Sequence, residues 1–291
     1  ELQPWLYYAT SVYEASGGVV GFASRPEEAP VDYEQFGKDH HMEITIEDRI
    51  AIIRLNRPDK RNAMCDELVD ALDAFYSKPP EGVRVVILTG TDGHYCSGLD
   101  LSEHVRRSAE QGLYHSRHWH AVMERIQLGG LITVSAMFGA VIGGGMELAA
   151  ATHVRIAEAS TIFQLPEGRR GIFVGGGATA RVGRLLGADR MTEMMLTGRK
   201  YGAEEGLALG LAHYAVGEGE ALALARELAG KIARNAPLSN YLMVQSIARI
   251  NDMSRTDGLF TESLAAALSQ TTPDAEEGLT AFLEKRAPVF R

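Results

Sequence analysis

Three consecutive glycines, Gly143, Gly144 and Gly145, run directly into a helix-forming segment that ends at Ala151. Glycine is a poor residue inside a helix, because ordering its backbone loses the most entropy. Three together at a strand-to-helix junction imply close backbone approach or φ angles closed to other residues. The first amides of a helix have no partner within it, so such a junction can receive negative charge. Tight packing of a helix on a sheet is the competing explanation. One carboxylate, Glu147, follows among Met146, Leu148 and a run of alanines. Burying an unpaired carboxylate is costly, and the usual response is a partner or a raised pKa, which suits a general acid or base. A solvated position, or an ion pair with Arg155 or Arg169, would account for Glu147 equally well.

A second carboxylate, Glu167, sits in a turn between Pro166 and Gly168. Turns at strand ends commonly present catalytic groups, and two carboxylates near one apolar site push their pKa values apart. A surface glutamate beside Arg169 and Arg170 is the plainer alternative. Gly98, Leu99 and Asp100 offer a further loop amide, at Leu99. Two converging N–H donors would stabilise an enolate or tetrahedral oxyanion. Asp100 capping the next helix is compatible with that.

The surrounding pattern is α/β. Residues 43–47 alternate as a half-buried strand does, and 50–55 complete a hairpin. Residues 83–89 and 131–136 are apolar runs of buried-strand length, and 154–157 and 161–163 follow as shorter strands. Helical spacing marks 66–76, 103–128 and 177–186. Strands alternating with helices predict an α/β core. From Asp189 the chain reads as mostly helical, with helices over 190–197, 203–209, 220–233, 237–250, 257–269 and 275–282 and a short strand at 211–216. Residues 1–41 hold three prolines and no persistent period, and read as a loosely ordered extension whose Trp5, Tyr7, Tyr8 and Tyr13 could dock. The expected organisation is an extension over 1–41, a core over 42–233 and a helical oligomerisation region over 234–291.

Composition narrows the partners. The 291 residues are 45% hydrophobic and carry a formal net charge of −9, with no basic run of the kind that binds nucleic acid. No window approaches eighteen apolar residues, so no membrane span is expected, and the N-terminus lacks the basic start of a signal peptide. Two cysteines, Cys65 and Cys96, make neither a disulfide framework nor a CxxC pair, and a reducing cytoplasm is the simplest setting.

From Met42 to Phe290 the sequence resembles the crotonase, or enoyl-CoA hydratase, superfamily. The matching pieces come in family order: 55–64, 86–90, 97–101, 139–151, 163–167, Gly171 with 175–177, 196–198, 203–211 and 281–286. The resemblance implies a spiral of ββα units with a helical C-terminal trimerisation region, assembled as a trimer or a dimer of trimers. It implies an acyl-CoA thioester as substrate, with CoA as part of that substrate and no separate cofactor or metal. The backbone N–H groups of Leu99 and Gly144 would form the oxyanion hole. Glu147 and Glu167 stand where members that hydrate a double bond carry two glutamates, with Glu147 as base towards water and Glu167 as proton donor. CoA contacts would come from Arg57, Lys60, Arg61 and the backbone near Ala63, with Lys285 or Arg286 reaching phosphate, in one reading that of a neighbouring subunit.

Three departures from the family pattern bear on the substrate. Ser102 stands where many relatives have a lysine, which removes a phosphate partner. Ile172, Phe173 and Val174 replace the usual Ile-Pro after Gly171 and reshape the acyl pocket. Thr152 and His153 stand where an aspartate commonly follows. Other signals are discounted. Residues 175–180 fit a loose G-x-G-x-x-A pattern without the βαβ context it needs. His115, His118 and His120 lack a partner spaced for a metal site, and read as a helix-surface cluster or one histidine lining the acyl channel. The expected activity is enoyl-CoA hydration. Isomerisation or C–C cleavage within the superfamily, and a non-catalytic acyl-CoA-binding subunit, are the alternatives.

Overall fold

The computed structural model describes residues 31–103 and 107–290. Its strands in chain order are β1 (Met42–Glu47), β2 (Ile50–Leu55), β3 (Val85–Gly90), β4 (Ile132–Met137), β5 (Ala140–Ile142), β6 (Val154–Glu158), β7 (Ile162–Gln164) and β8 (Tyr214–Val216). The helices are α1 (Tyr33–Asp39), α2 (Asp66–Ser77), α3 (Ala109–Leu128), α4 (Gly144–Ala150), α5 (Ala178–Leu186), α6 (Ala188–Thr197), α7 (Ala203–Ala208), α8 (Ala221–Ala233), α9 (Pro237–Ile250), α10 (Arg255–Gln270) and α11 (Pro273–Glu284). Six strands form one sheet in the order β1-β2-β3-β4-β6-β8, and β5 pairs with β7 in a second, smaller one. Only β1 runs antiparallel, joined to β2 by the two-residue turn Asp48-Arg49, with Asp48 at φ 53°. The other pairs are parallel.

Each winding of the chain places a long strand in the large sheet, then a short strand in the small layer, then a helix. β4 leads into β5 and α4, and β6 leads into β7, a 3-10 turn at Glu167–Arg170 and α5. β3 leads to Cys96, which bridges Val141 of β5. This mixed α/β winding brings the starts of successive helices to one edge of the small layer.

Parallel strands covered on both faces read as continuous apolar runs, which is why β3 is buried at all six positions. One face packs Ile52, Ile87, Val134 and Ile156 against Ala221, Ala225, Ala229 and Ala233 of α8. Alanine at every fourth position lets α8 lie close on the sheet. The other face carries the larger core, with Leu68, Leu72 and Phe75 of α2 and Val122, Met123 and Ile126 of α3.

Several boundaries differ from expectation. Within the segment read as loosely ordered, Tyr33–Asp39 is helical, because Asp32 caps it by accepting from the Glu34 and Gln35 amides. Tyr33 fixes this helix to the core through its hydroxyl, which donates to the Lys78 carbonyl at 2.9 Å, and an edge contact with Phe75. The aromatic residues Trp5, Tyr7, Tyr8 and Tyr13 lie outside the described residues. Helix α3 begins at Ala109 rather than near residue 103, because Ser108 and Gln111 form a reciprocal capping box. The 211–216 strand shrinks to three residues. Strand β5 lies within the stretch read as a direct run into helix.

Arg155 on β6 is 6% exposed and has no carboxylate partner among the described residues. Its guanidinium donates to the carbonyls of Thr152, Gly210 and Leu211 at 3.0, 3.2 and 2.8 Å. It thereby ties β6 to the segment before β8. Burial pushes its pKa down to about 10, which leaves it charged at neutral pH. Arg155→Met should leave three buried carbonyls without these donors and destabilise the protein by roughly 3 kcal/mol. Chemical denaturation of the variant against the parent protein measures it.

Candidate active site

The glycine triplet is where β5 turns into α4. Gly143 has φ 53° and ψ −121°, a conformation side chains disfavour, and its amide donates to the Gln164 carbonyl of β7. A Cβ there would lie 2.9 Å from Glu167 Oε1, so a side chain at this position would displace that carboxylate. The Gly143 carbonyl accepts from the Met146 and Glu147 amides, which starts the helix. At seven residues α4 has little macrodipole, so its individual N–H groups matter more than its net field.

Leu99 arrives from a different direction. The Met64 amide donates to the Gly98 carbonyl at 2.8 Å, and the Asp100 amide donates to the Met64 carbonyl at 2.9 Å. This bridge consumes the groups on either side and leaves the Leu99 N–H unused. A Cβ on Gly144 would meet Leu99 N at 3.2 Å, and one on Gly98 would meet Gly144 N at 3.2 Å. The two amides are therefore neighbours, and neither has a protein acceptor among the described residues. Such a pair suits a developing oxyanion.

Glu147 is 4% exposed, with neither Arg155 nor Arg169 as its partner. Its Oε1 accepts from the Gly176 and Ala178 amides at 2.8 and 3.0 Å. Burial raises its pKa, while these amides and the Arg181 charge oppose the rise. Glu167 opens the 3-10 turn after Pro166 and is 6% exposed, not a surface residue. Its Oε2 is buried and has no hydrogen-bond partner. Burial, with a smaller contribution from the Glu147 charge, pushes its pKa up to about 7. Both glutamates, Leu99 and Gly144 line one cavity of about 370 Å³. Ile172, Phe173 and Val174 line it as well.

The family profile described as enoyl-CoA hydratase/isomerase matches residues 45–291. The chain belongs to that family. It is 37% identical over 249 residues to enoyl-CoA hydratase domain-containing protein 2, mitochondrial, of Bos taurus, covering 83% of this chain and 84% of that protein. It is 31% identical over 243 residues to the short-chain-enoyl-CoA hydratase of Clostridium acetobutylicum, covering 82% and 93%. Among solved structures, the enoyl-CoA hydratase of Bacillus anthracis superposes with a TM-score of 0.81 at 31% identity, over 86% of this chain and 98% of that one. A structure from Rhodopseudomonas palustris reaches 0.82 at 44% identity, over 84% and 95%. Members of this family act on acyl-CoA substrates.

The loop expected to meet CoA is partly turned inwards. Arg57 is spent on structure, donating to Asp100 Oδ2 at 2.9 Å and to the Ala63 carbonyl at 2.8 Å. Both of these guanidinium nitrogens brace the loop. Asp100 also accepts from the Ser102 amide and hydroxyl, and these bonds, with Arg57, hold its pKa at about 2. Lys60 reaches Ser102 Oγ at 3.4 Å and is exposed, as is Arg61. Ala63 is buried, and its amide donates to the Lys60 carbonyl. Lys285 caps α11 in a left-handed conformation and does not line the cavity, while Arg286 pairs with Glu277 and Glu284.

One wall was anticipated only at a histidine of the 115–120 cluster, which is His115. Gly112, Ser116 and Trp119 of α3 line the cavity together with His115. Their spacing of three, four and seven from Gly112 marks one helix face and was the available signal. Ser116 Oγ donates to the Gly175 carbonyl at 2.7 Å. His115 lies 2.7 Å from Asp66, and His118 pairs with Asp70 away from the cavity. The 175–177 glycines, which mimic a dinucleotide loop, instead lead into helix α5, and Gly176 with Ala178 supplies the amide cradle of Glu147.

The raised carboxyls tie stability to pH. The unfolded chain releases a glutamate proton near about 4.3, whereas folded Glu167 releases it at about 7. The folded state binds the proton more tightly between those values. The stability that Glu167 contributes as an acid is therefore full below about pH 4 and lost by about pH 7. Glu167→Gln removes this dependence. Its melting temperature relative to the parent should be more favourable at about pH 8 than at about pH 5. A pH-independent difference in thermal melts would refute the raised pKa.

Proposed function

We propose that the chain is an enoyl-CoA hydratase, adding water across the Cα=Cβ bond of an acyl-CoA thioester or removing it. The observation that carries this reading is the convergence of two buried carboxylates and two unpaired amides on one cavity. The thioester oxygen accepts from the Leu99 and Gly144 N–H groups, which lowers the energy of the enolate as charge moves onto that oxygen. Water bound between the glutamates attacks Cβ and gives its proton to Glu147. Two amides favour the ionised form of Glu147 and so keep it ready to accept. Glu167, raised by burial, delivers a proton to Cα. Return of the proton from Glu147 to Glu167 restores the resting pair, so the net addition is one H and one OH. The titration belongs to the pair as a unit.

Isomerisation needs the same enolate but only a proton shuttle between carbons, for which one carboxylate suffices. Two of them around one water position favour hydration. No redox change occurs, so the proposed reaction uses no cofactor beyond the CoA carried by the substrate.

Replacement of either glutamate by glutamine should lower crotonyl-CoA hydration by about 10²–10⁴-fold, as loss of a general acid or base does. The loss of enoyl absorbance measures rate, and product mass should rise by one water. Turnover unchanged in both variants would sink the assignment. In the parent enzyme the hydration rate should fall as pH rises through about 7, where Glu167 loses its proton.

We also propose assembly as a trimer or a dimer of trimers. Large apolar side chains lie exposed along the last three helices, among them Ile247, Phe260, Leu264, Leu268 and Phe282. Such a concentration is what a subunit interface covers. Analytical ultracentrifugation should give three or six chains for the parent and fewer for Phe260→Asp with Leu264→Asp. A monomeric parent would overturn this.

A further inference from the structure

Ile172 and Phe173 line two spaces, not one. Beyond the reaction cavity they also form part of a groove of about 630 Å³ that runs between α5 and α6. Gly168, next to Glu167, opens onto it, and Met191, Met195 and Leu196 form its far side. Its one charged lining residue, Arg184, is paired with Asp252 at 2.6 Å.

We propose that this groove receives the distal end of a long, unbranched apolar acyl chain, which passes beside Phe173 on leaving the reaction cavity. The inference rests on the hydratase reading above and extends it to substrate class. The direction follows from the site. The thioester oxygen is fixed at Leu99 and Gly144, and Cα and Cβ lie between the two glutamates. Atoms beyond Cβ then head for Ile172, Phe173 and Val174. A space of about 370 Å³ is at the small end for a ligand pocket of about 300–1,000 Å³, so a long chain must continue elsewhere. The groove shares two wall residues with that cavity and adjoins it at Phe173.

Its chemistry selects the chain. Methionine side chains are flexible and adapt to an apolar partner of variable length. With Arg184 already paired, a carboxylated or hydroxylated tail gains no free cation there. Each methylene moved from water into such a wall strengthens binding by about fourfold. Phe173 is 70% exposed, so its ring can be removed with little loss of core packing.

The test is a chain-length profile of hydration, run with crotonyl-CoA and trans-2-dodecenoyl-CoA on the parent, Phe173→Ala and Met195→Trp. The parent should hydrate both. Met195→Trp fills the groove and should lower the ratio of kcat/KM for the long substrate over the short one at least tenfold. Phe173→Ala widens the passage and should raise that ratio. Circular dichroism and size-exclusion chromatography verify that both variants fold and assemble. A parent that hydrates crotonyl-CoA but not dodecenoyl-CoA overturns the inference and leaves the hydratase reading standing. So does an unchanged ratio in both folded variants. If Met195→Trp alters only the oligomeric state, the groove is an interface between copies and the inference is wrong. A parent that hydrates neither substrate overturns the hydratase reading itself.

Discussion

The architecture of the site depends on one contact, the acceptance by Glu147 of two backbone amides from the start of the next helix. A carboxylate in the middle of α4, among Met146, Leu148 and alanines, is largely shielded from bulk water. Its burial would cost several kcal/mol if unpaired. Hydrogen bonds to a charged group return about 1.5–3 kcal/mol each. The Gly176 and Ala178 amides can supply them only if α5 begins against α4. A Cβ at Gly176 would lie 2.6 Å from Glu147 Oε2, so that approach requires glycine. The electrostatic need of one side chain thus fixes the relation of two successive windings of the fold.

The two carboxylates are chemically alike and are made different by their surroundings. Glu147 has donors on one oxygen and the Arg181 charge nearby. Glu167 has a buried oxygen with no donor and feels the charge of its neighbour. Environment rather than residue type sets the two carboxyls apart, as in other paired-carboxylate sites. The backbone provides most of this asymmetry: four amides act at the site, two toward Glu147 and two, at Leu99 and Gly144, left unpaired by the protein.

What could be read from the sequence was local. Alternation at 43–47, the apolar run of β3 and the helical spacing of the late segments each follow from a few neighbouring residues. The glycine triplet was legible for the same reason, since clustered glycines signal a backbone constraint before any fold is known. Long-range pairing was not legible. Nothing near Arg57 announces that Asp100, forty-three residues away, draws it inwards. Nothing near Glu147 announces Gly176 and Ala178. Arg155 looks like a carboxylate partner in sequence, yet three carbonyls take it. The α3 wall was hidden differently. Its helix face carries a glycine, a histidine, a serine and a tryptophan, a mixture that hydrophobic periodicity does not register.

Two of the three departures from the family pattern flank the cavity and spare its middle, while the third, Thr152 and His153, lies off it. Ser102 lies at the end marked by Leu99 and Leu101, where it closes a small network with Asp100 and Lys60. Phe173 stands at the other end, on the wall shared with the groove. Between them Leu99, Gly144, Glu147 and Glu167 are all present. This distribution has a physical reason. The central residues act on each other, because moving an amide by an ångström changes the charge balance of both carboxylates. Ser102 and Phe173 lie outside the amide contacts that set this balance, so they can change without disturbing it. Ser102 in place of a lysine leaves the Leu99 loop held by the backbone bonds of Met64 to Gly98 and Asp100. Phe173 is exposed on the cavity wall. On the proposed reading, chemistry and selectivity are separable in this fold, because the amides that set the central geometry belong to the backbone and the variable wall to an exposed side chain.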